Sequence, residues 1–157
     1  VVEAANLNAP GQIVIAGAKA AVERASEIAK AKGAKRAVLL PVSAPFHCAL
    51  MRPAAERLAE RLAGVVIAKP EIEVINNVDV AVYDDPEKIR DALVRQAYSP
   101  VRWIELVQAM AARGMTHVIE CGPGKVLAGM TKRIAKDVEG GSAHDAASLE
   151  QSIAAVR

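Results

Sequence analysis

A histidine at the exit of a proline-rich turn has the most evident chemistry in this chain. His47 follows Pro41–Phe46, a segment in which two prolines end a strand-like apolar run just before a helical pattern begins. Proline cannot donate to a sheet ladder, and it biases the preceding residue away from helical angles, so we predict an extended turn here. Pro53 falls in the first turn of the helix, where a missing N–H costs little. The sequence therefore predicts that His47 lies just before, or at, a helix N-terminus.

A histidine at that place could act as a general base. The partial positive charge of a helix N-terminus disfavours imidazolium, and a base needs the neutral ring. A histidine that only caps the helix fits the same pattern. One histidine without a visible partner does not separate these two interpretations.

Other residues with reactive or binding side chains give weaker patterns. The segment Gly122–Lys125 resembles a phosphate cradle, but it lacks the complete Gly-x4-Gly-Lys-Ser/Thr pattern, so we interpret it as a tight strand-to-helix turn. His117 and His144 have no partners at metal-ligand spacing and are predicted to be structural or solvated. No serine lies in a Gly-x-Ser-x-Gly elbow, so the sequence offers no nucleophile of that kind.

The elements that must position His47 alternate between strands and helices. Hydrophobic periodicity predicts strands at 1–7, 12–16, 36–40, 72–75 and 117–120. It predicts helices at 18–32, 49–63, 86–98, 100–113 and 125–138, with Asp85 and Ser99 as N-caps, a polar loop at 139–147 and a short C-terminal helix. The early strand–strand–helix–strand order predicts the latter part of a ferredoxin-like unit, and the later alternation favours a parallel sheet covered by helices.

Composition excludes several classes of protein. The net charge is +2, and the basic residues are spread along helices rather than gathered in a patch, so we expect no nucleic-acid partner. No run of 18 apolar residues occurs, so we expect no membrane span. The two cysteines lie far apart, which favours reduced thiols in the cytoplasm. Because the chain begins at Val1 inside a strand-like run, we expect it to be part of a longer or split polypeptide.

Five segments carry a family resemblance. The segment Pro41–Met51 resembles the histidine segment of the bacterial malonyl-CoA:acyl-carrier-protein transacylases, enzymes that load malonyl groups onto the carrier for fatty-acid synthesis. Further pieces of the same pattern occur in the family's order at Asn6–Gly17, Ile75–Asp79, Leu93–Trp103 and Glu120–Leu127.

The resemblance implies an α/β fold. Residues 1–40 would be the second half of an inserted ferredoxin-like subdomain, and residues 41–157 would be the C-terminal part of a large α/β-hydrolase-like acyltransferase subdomain. The implied reaction is ping-pong transfer of malonyl from malonyl-CoA, through a serine ester, to the phosphopantetheine thiol of acyl carrier protein. The implied setting is cytoplasmic. No cofactor is expected, because malonyl-CoA is a substrate.

The resemblance also assigns site residues. His47 matches the family's catalytic histidine, and Gln96 matches the residue whose backbone carbonyl holds that ring, although a solvated residue at a helix end fits Gln96 as well. Asn8 matches an asparagine near the active site, but it also suits a hairpin turn. Phe46 is associated with malonyl over methylmalonyl substrates, a preference of about 1–3 kcal/mol, and it also suits a core position.

The serine, the carboxylate-binding arginine and the oxyanion-hole segment of the family have no match in these 157 residues. We therefore expect the chain to be inactive without the missing N-terminal half of the enzyme. Two alternatives stay open from the sequence. The first is an acyltransferase domain of a polyketide synthase, and the second is a non-catalytic fragment that docks a carrier protein.

Overall fold

The computed structural model describes residues 1–156, and the chain divides into two units. The first unit consists of Val1–Leu7 and Ile13–Arg102, and the second consists of Asn8–Gln12 and Trp103–Arg157. The boundary that the resemblance implies after residue 40 is not tested by this division and stays a prediction. None of the helices in the described part of the chain has the length and apolarity needed to cross a membrane.

The N-terminal portion contains the two predicted strands and the first predicted helix, although the first strand extends to Ala9. A two-stranded sheet is formed by β1 (Val2–Ala9) and β2 (Gln12–Gly17), which meet at a turn containing Gly11 with φ 74°. Helix α1 (Lys19–Ala31) follows, and Lys30 in its last turn suits the helix dipole.

Residues 36–40 do not form the predicted strand. Val38, Leu39 and Leu40 are 57%, 61% and 53% exposed, and no ladder joins this stretch to another segment of residues 1–156. A strand needs a hydrogen-bonded neighbour, and apolar periodicity alone cannot supply one.

The next elements of the first unit are a 3-10 turn and two helices separated by a hairpin. Their bounds are Ala49–Met51 for the 3-10 turn, Arg52–Ala63 for α2, Ile75–Asn76 for β3, Ala81–Val82 for β4 and Pro86–Arg95 for α3. Asp85 caps α3 as predicted, since its side chain accepts from the Glu87 N–H at 2.9 Å.

The hairpin replaces the buried strand predicted at 72–75. Ile72 and Val74 are 78% and 56% exposed, and only Ile75–Asn76 pairs, with β4 in antiparallel register. The Asn76 side chain turns the chain, because its amide donates to the Ala81 carbonyl and its oxygen accepts from the Asp79 N–H.

The second unit contains one parallel strand pair between helices. Its elements are α4 (Trp103–Ala112), β5 (His117–Cys121), α5 (Ala128–Ile134), β6 (Glu139–Ala143) and α6 (Ala146–Ala155). Its buried side chains include Leu106, Val107 and Met130. Helix α6 begins with a capping box in which Asp145 and Ser148 bond each other's backbone N–H.

Three predictions for the second unit are wrong in their details. Helix α4 begins at Trp103, so Ser99 is not its cap, and α5 is shorter than the predicted 125–138. The predicted loop at 139–147 contains strand β6. Its glycines allow close packing, because a Cβ at Gly140 would collide with the backbone oxygen of Ala128 in α5.

Candidate active site

His47 has a strained backbone. Its φ is 61°, in the left-handed region that a non-glycine residue rarely adopts, and its N–H donates to the Ala97 carbonyl at 3.3 Å. Strain of this kind persists where surrounding contacts enforce it, and it is concentrated at functional sites. The proline-rich turn therefore presents one half-buried histidine in a fixed conformation.

The His47 ring is held by two backbone carbonyls. Its Nδ1 lies 3.0 Å from the Gln96 oxygen and 3.2 Å from the Ser99 oxygen. A carbonyl oxygen can only accept, so Nδ1 must carry the hydrogen in the neutral ring. Nε2 then has a free lone pair, which is the protonation pattern that a general base requires.

The Gln96 carbonyl is available because helix α3 ends there. The last carbonyls of an α-helix have no intrahelical partner, and they carry partial negative charge. Gln96 is the C-cap of α3, and its oxygen accepts from His47. The predicted contact with Gln96 is confirmed, whereas the contact with Ser99 was not predicted, because Ser99 was expected to begin a helix.

The segment after Ser99 is tied to the first strand. Val101 forms a parallel bridge with Asn6, in which the Val101 N–H donates to the Ala5 carbonyl and the Leu7 N–H donates to the Val101 carbonyl, each at 2.8 Å. These bonds account for the late start of α4. They also fix the chain immediately after the carbonyls that orient His47.

The segment that carries His47 is itself fixed by contacts of the residues that follow the histidine. Cys48 is fully buried, and its thiol lies 3.2 Å from the Pro45 carbonyl. The Glu3 carboxylate accepts from the Ala49 N–H at 2.8 Å and so caps the 3-10 turn. The Arg52 guanidinium lies 4.3 Å from the centre of the Tyr98 ring, which joins the start of α2 to the turn containing Gln96 and Ser99.

A bidentate ion pair anchors the end of α3. Arg95 donates to both carboxylate oxygens of Asp79, at 2.8 and 2.6 Å, and also pairs with Asp91. The hydrogen bonds from Arg95 hold the pKa of Asp79 below its usual 3.8. The hydrogen bond that Tyr83 donates to Asp79 raises the pKa of the Tyr83 phenol. Arg95 directly precedes Gln96, so this pair fixes the end of the helix beside the histidine.

The roles predicted for Phe46 and Asn8 are not tested by the structure and stay predictions. Phe46 is 49% exposed, so it does not belong to the core of the residues that the structure describes. Asn8 lies within strand β1 rather than in the hairpin turn, and it belongs to the second unit, whereas His47 belongs to the first.

Comparison with known proteins matches the acyl transferase domain model to residues 1–152. The chain belongs to the acyl transferase domain family.

The curated relatives of this chain are named as malonyl transacylases. The chain is 58% identical to the malonyl CoA-acyl carrier protein transacylase of Haemophilus influenzae over 95% of this chain and 48% of that protein. It is 46% identical to the Bacillus subtilis protein of the same name, over 97% of this chain and 48% of that one. The chain therefore spans about half the length of the curated relatives it matches.

Solved acyl transferases have the same fold. The acyl-carrier-protein S-malonyltransferase of Burkholderia pseudomallei superimposes with a TM-score of 0.96 at 62% identity, over 98% of this chain and 50% of that chain. A malonyl-transacylase in complex with a type II polyketide synthase acyl-carrier protein superimposes with a TM-score of 0.96 at 50% identity, over 99% of this chain and 50% of that chain.

The glycine turn before α5 is structural, as predicted. The Glu120 carboxylate accepts from the backbone N–H groups of Leu127 and Ala128, at 2.9 and 3.0 Å. A protein carboxylate therefore occupies the amides that a phosphate cradle would offer to a ligand.

The other histidines lie in the second unit. His117 contacts Thr116 and Glu139, and His144 contacts Ser142 and Asp145. Within residues 1–156, no group of three or more His, Cys, Asp and Glu side chains could hold a metal ion. A cavity of about 500 Å³ is lined by both histidines and by Lys125, and its lining includes none of the residues predicted for the active site.

Proposed function

We propose that this chain is the C-terminal part of a malonyl-CoA:acyl-carrier-protein transacylase of fatty-acid biosynthesis. One observation carries the proposal: the His47 Nδ1 lies within hydrogen-bond distance of two carbonyl oxygens. The names of the matched relatives favour this function over a polyketide synthase domain and over a non-catalytic docking fragment.

The reaction would take place in two halves that share one base. In the first half, Nε2 of His47 takes the proton of a serine hydroxyl, and the serine oxygen attacks the malonyl thioester. The C–S bond breaks, and the proton passes to the departing CoA thiolate. In the second half, His47 takes the proton of the carrier's phosphopantetheine thiol. The thiolate then attacks the serine ester, and the proton returns to the serine oxygen.

The serine would come from an N-terminal portion of the enzyme. No Gly-x-Ser-x-Gly occurs in the printed sequence, and the relatives are about twice as long as the stretch they share with this chain. Many large apolar side chains of the first unit are exposed, as expected of a chain that packs against a further portion of the enzyme. They include Val38, Leu39, Leu40, Val42, Phe46, Val66, Ile72 and Val74.

The finer fold assignment is part of the proposal. Residues 1–40 would complete a ferredoxin-like insert, and residues 41–157 would complete an α/β-hydrolase-like subdomain. The order β1–β2–α1 and the parallel pair β5–β6 support this division. Residues 36–40 would become a strand once a neighbouring strand is present. We place the enzyme in the cytoplasm, with malonyl-CoA and acyl carrier protein as its substrates and without a cofactor.

The remaining predicted residues would act on the substrate. Half-exposed Phe46 directly precedes the base, so its ring could occupy the space that a methylmalonyl branch needs. Discrimination over one methyl group is about 1–3 kcal/mol. Asn8 would help to place the substrate or the histidine.

The test uses a chimera in which the N-terminal half of the Burkholderia pseudomallei enzyme precedes Val1. Malonyl transfer to holo acyl carrier protein is followed by mass spectrometry. We expect the chimera to be active and the 157-residue chain alone to be inactive. His47→Ala should lower the rate roughly a thousandfold or more, because both half-reactions need the base.

His117→Ala is the matched control, because it removes a histidine that lies outside the first unit. We expect it to keep near-normal activity. Near-normal transfer by the His47→Ala chimera, or transfer by the chain alone, would contradict the proposed mechanism.

A further inference from the structure

The Asn77 side chain bonds the segment that orients His47. Its Nδ2 donates to the Pro100 carbonyl at 3.1 Å, and its Oδ1 accepts from the Arg102 N–H at 2.8 Å. One side-chain amide thus satisfies the two backbone groups that flank Val101. Asn77, Pro100 and Arg102 are half-buried, so water can only partly replace these bonds.

Asn77 completes the bonding of this short stretch. The Val101 backbone is already bonded to β1 through Ala5 and Leu7. With Asn77 added, the chain is held at four consecutive polar groups, from the Pro100 carbonyl to the Arg102 N–H. The Arg102 guanidinium also donates to the Val78 carbonyl at 3.0 Å, which gives a second link to the same hairpin.

The held stretch directly follows the carbonyls that contact the histidine. Ser99, whose oxygen lies 3.2 Å from the ring, is adjacent to Pro100. Gln96 and Ala97, which bond the ring and the backbone of His47, lie within the same turn. A shift of this turn would move every acceptor that fixes His47, and a shift of about 1 Å can cost roughly a hundredfold in rate.

We propose that Asn77 is a positioning residue, which orients His47 by fixing the backbone of residues 99–102. The inference rests on the proposed function, because it takes His47 as the base. Asn77 does not touch the ring, so its effect passes through the Ser99 and Gln96 carbonyls.

Asn76 provides a matched control in the same hairpin. Its side chain also makes two hydrogen bonds, to the Ala81 carbonyl and the Asp79 N–H, and both stay within residues 76–81. Asn76→Ala therefore removes an equivalent amide without touching residues 99–102. Asn77→Asp is a second variant, because it keeps an acceptor for Arg102 and loses the donor to Pro100.

The first readout is the proton NMR signal of the His47 Nδ1–H in the 157-residue chain, assigned by its absence from the His47→Ala variant. A hydrogen-bonded imidazole proton is protected from exchange with water. We expect the signal to persist in Asn76→Ala, and to weaken or disappear in Asn77→Ala and Asn77→Asp. A signal that is unchanged in both Asn77 variants would overturn the inference.

The second readout is the kinetics of malonyl transfer in the chimera. We expect the Asn77 variants to lower kcat about tenfold to a hundredfold with little change in KM, since base alignment is lost while substrate contacts are kept. An equal loss in Asn76→Ala would mean a general effect of the hairpin and would contradict the proposal. If the parent chimera is inactive, the proposed function fails, and the NMR readout still decides the inference.

Discussion

The strained backbone of His47 gives a prediction about stability that is separate from its chemistry. At most positions glycine is less stable than alanine by about 0.5–1 kcal/mol, because it loses more backbone entropy on folding. At φ 61° the order should reverse, since a residue with a Cβ costs about 1–2 kcal/mol there and glycine does not. Both His47→Gly and His47→Ala lose the bonds to Gln96 and Ser99, so that loss cancels in the comparison.

The difference between these two penalties sets the expected difference in the free energy of unfolding between the two variants. His47→Gly should be more stable than His47→Ala by about 0.5–1 kcal/mol, measured by urea unfolding followed by far-UV circular dichroism. Ala59→Gly, in the interior of α2, is the control for a position where alanine is more stable than glycine, and it should be destabilised by about 1 kcal/mol. A glycine variant at position 47 that is equal to or less stable than the alanine variant would refute a strained histidine.

Two further substitutions test the supporting structure. Gly140→Ala should destabilise the second unit by about 1–3 kcal/mol, because the added Cβ would meet the backbone of α5. Gly129→Ala, at a position on α5 where a Cβ would meet open space, is the control and should be neutral or stabilising. Trp103 fluorescence during urea unfolding measures both variants, and equal effects would contradict the packing of β6. Asp79→Asn should lower the unfolding midpoint at pH 7, because Arg95 bonds the ionised carboxylate only in the folded state. This loss of stability relative to the parent chain should shrink as the pH falls below 3.8 and disappear below the lowered pKa of native Asp79. Asp84→Asn, at an ion pair whose side chains are 70% exposed, should leave the midpoint nearly unchanged, and a deficit in Asp79→Asn that does not shrink as the pH falls below 3.8 would contradict the assignment.

Local patterns in the sequence predicted the elements whose signals are local. Helix α3 begins at Pro86, directly after the Asp85 cap, and β5 begins at His117, as the patterns indicated. The position of His47 before a helix and its contact with Gln96 were also predicted, the latter through the family resemblance.

The failures have a common physical cause, since each depends on a partner distant in sequence. Residues 36–40 have strand periodicity but lack a neighbouring strand. Strand β6 looks like a loop because Gly140 and Gly141 are required by the close approach of α5 and of the Ile119 side chain. Neither requirement is visible in a local window of sequence.

The same cause explains which site residues were missed. Ser99 contributes a backbone oxygen, and a backbone group carries no signal in the identity of its side chain. Asn77 was visible only as part of a family segment, and its bonds to residues 100 and 102 depend on the hairpin that folds it back. The Pro100-Val101 pair suggested a helix start, but the bridge to β1 keeps that stretch extended.

The central claim is that two main-chain oxygens force the hydrogen of the neutral His47 ring onto Nδ1. Nitrogen-15 NMR of the three histidine rings at pH about 8 reports directly which nitrogen of each neutral ring carries the hydrogen. We predict a protonated Nδ1 and an unprotonated Nε2 for His47. A ring with its hydrogen on Nε2 would leave both contacts without a donor and would contradict the assignment of His47 as the base.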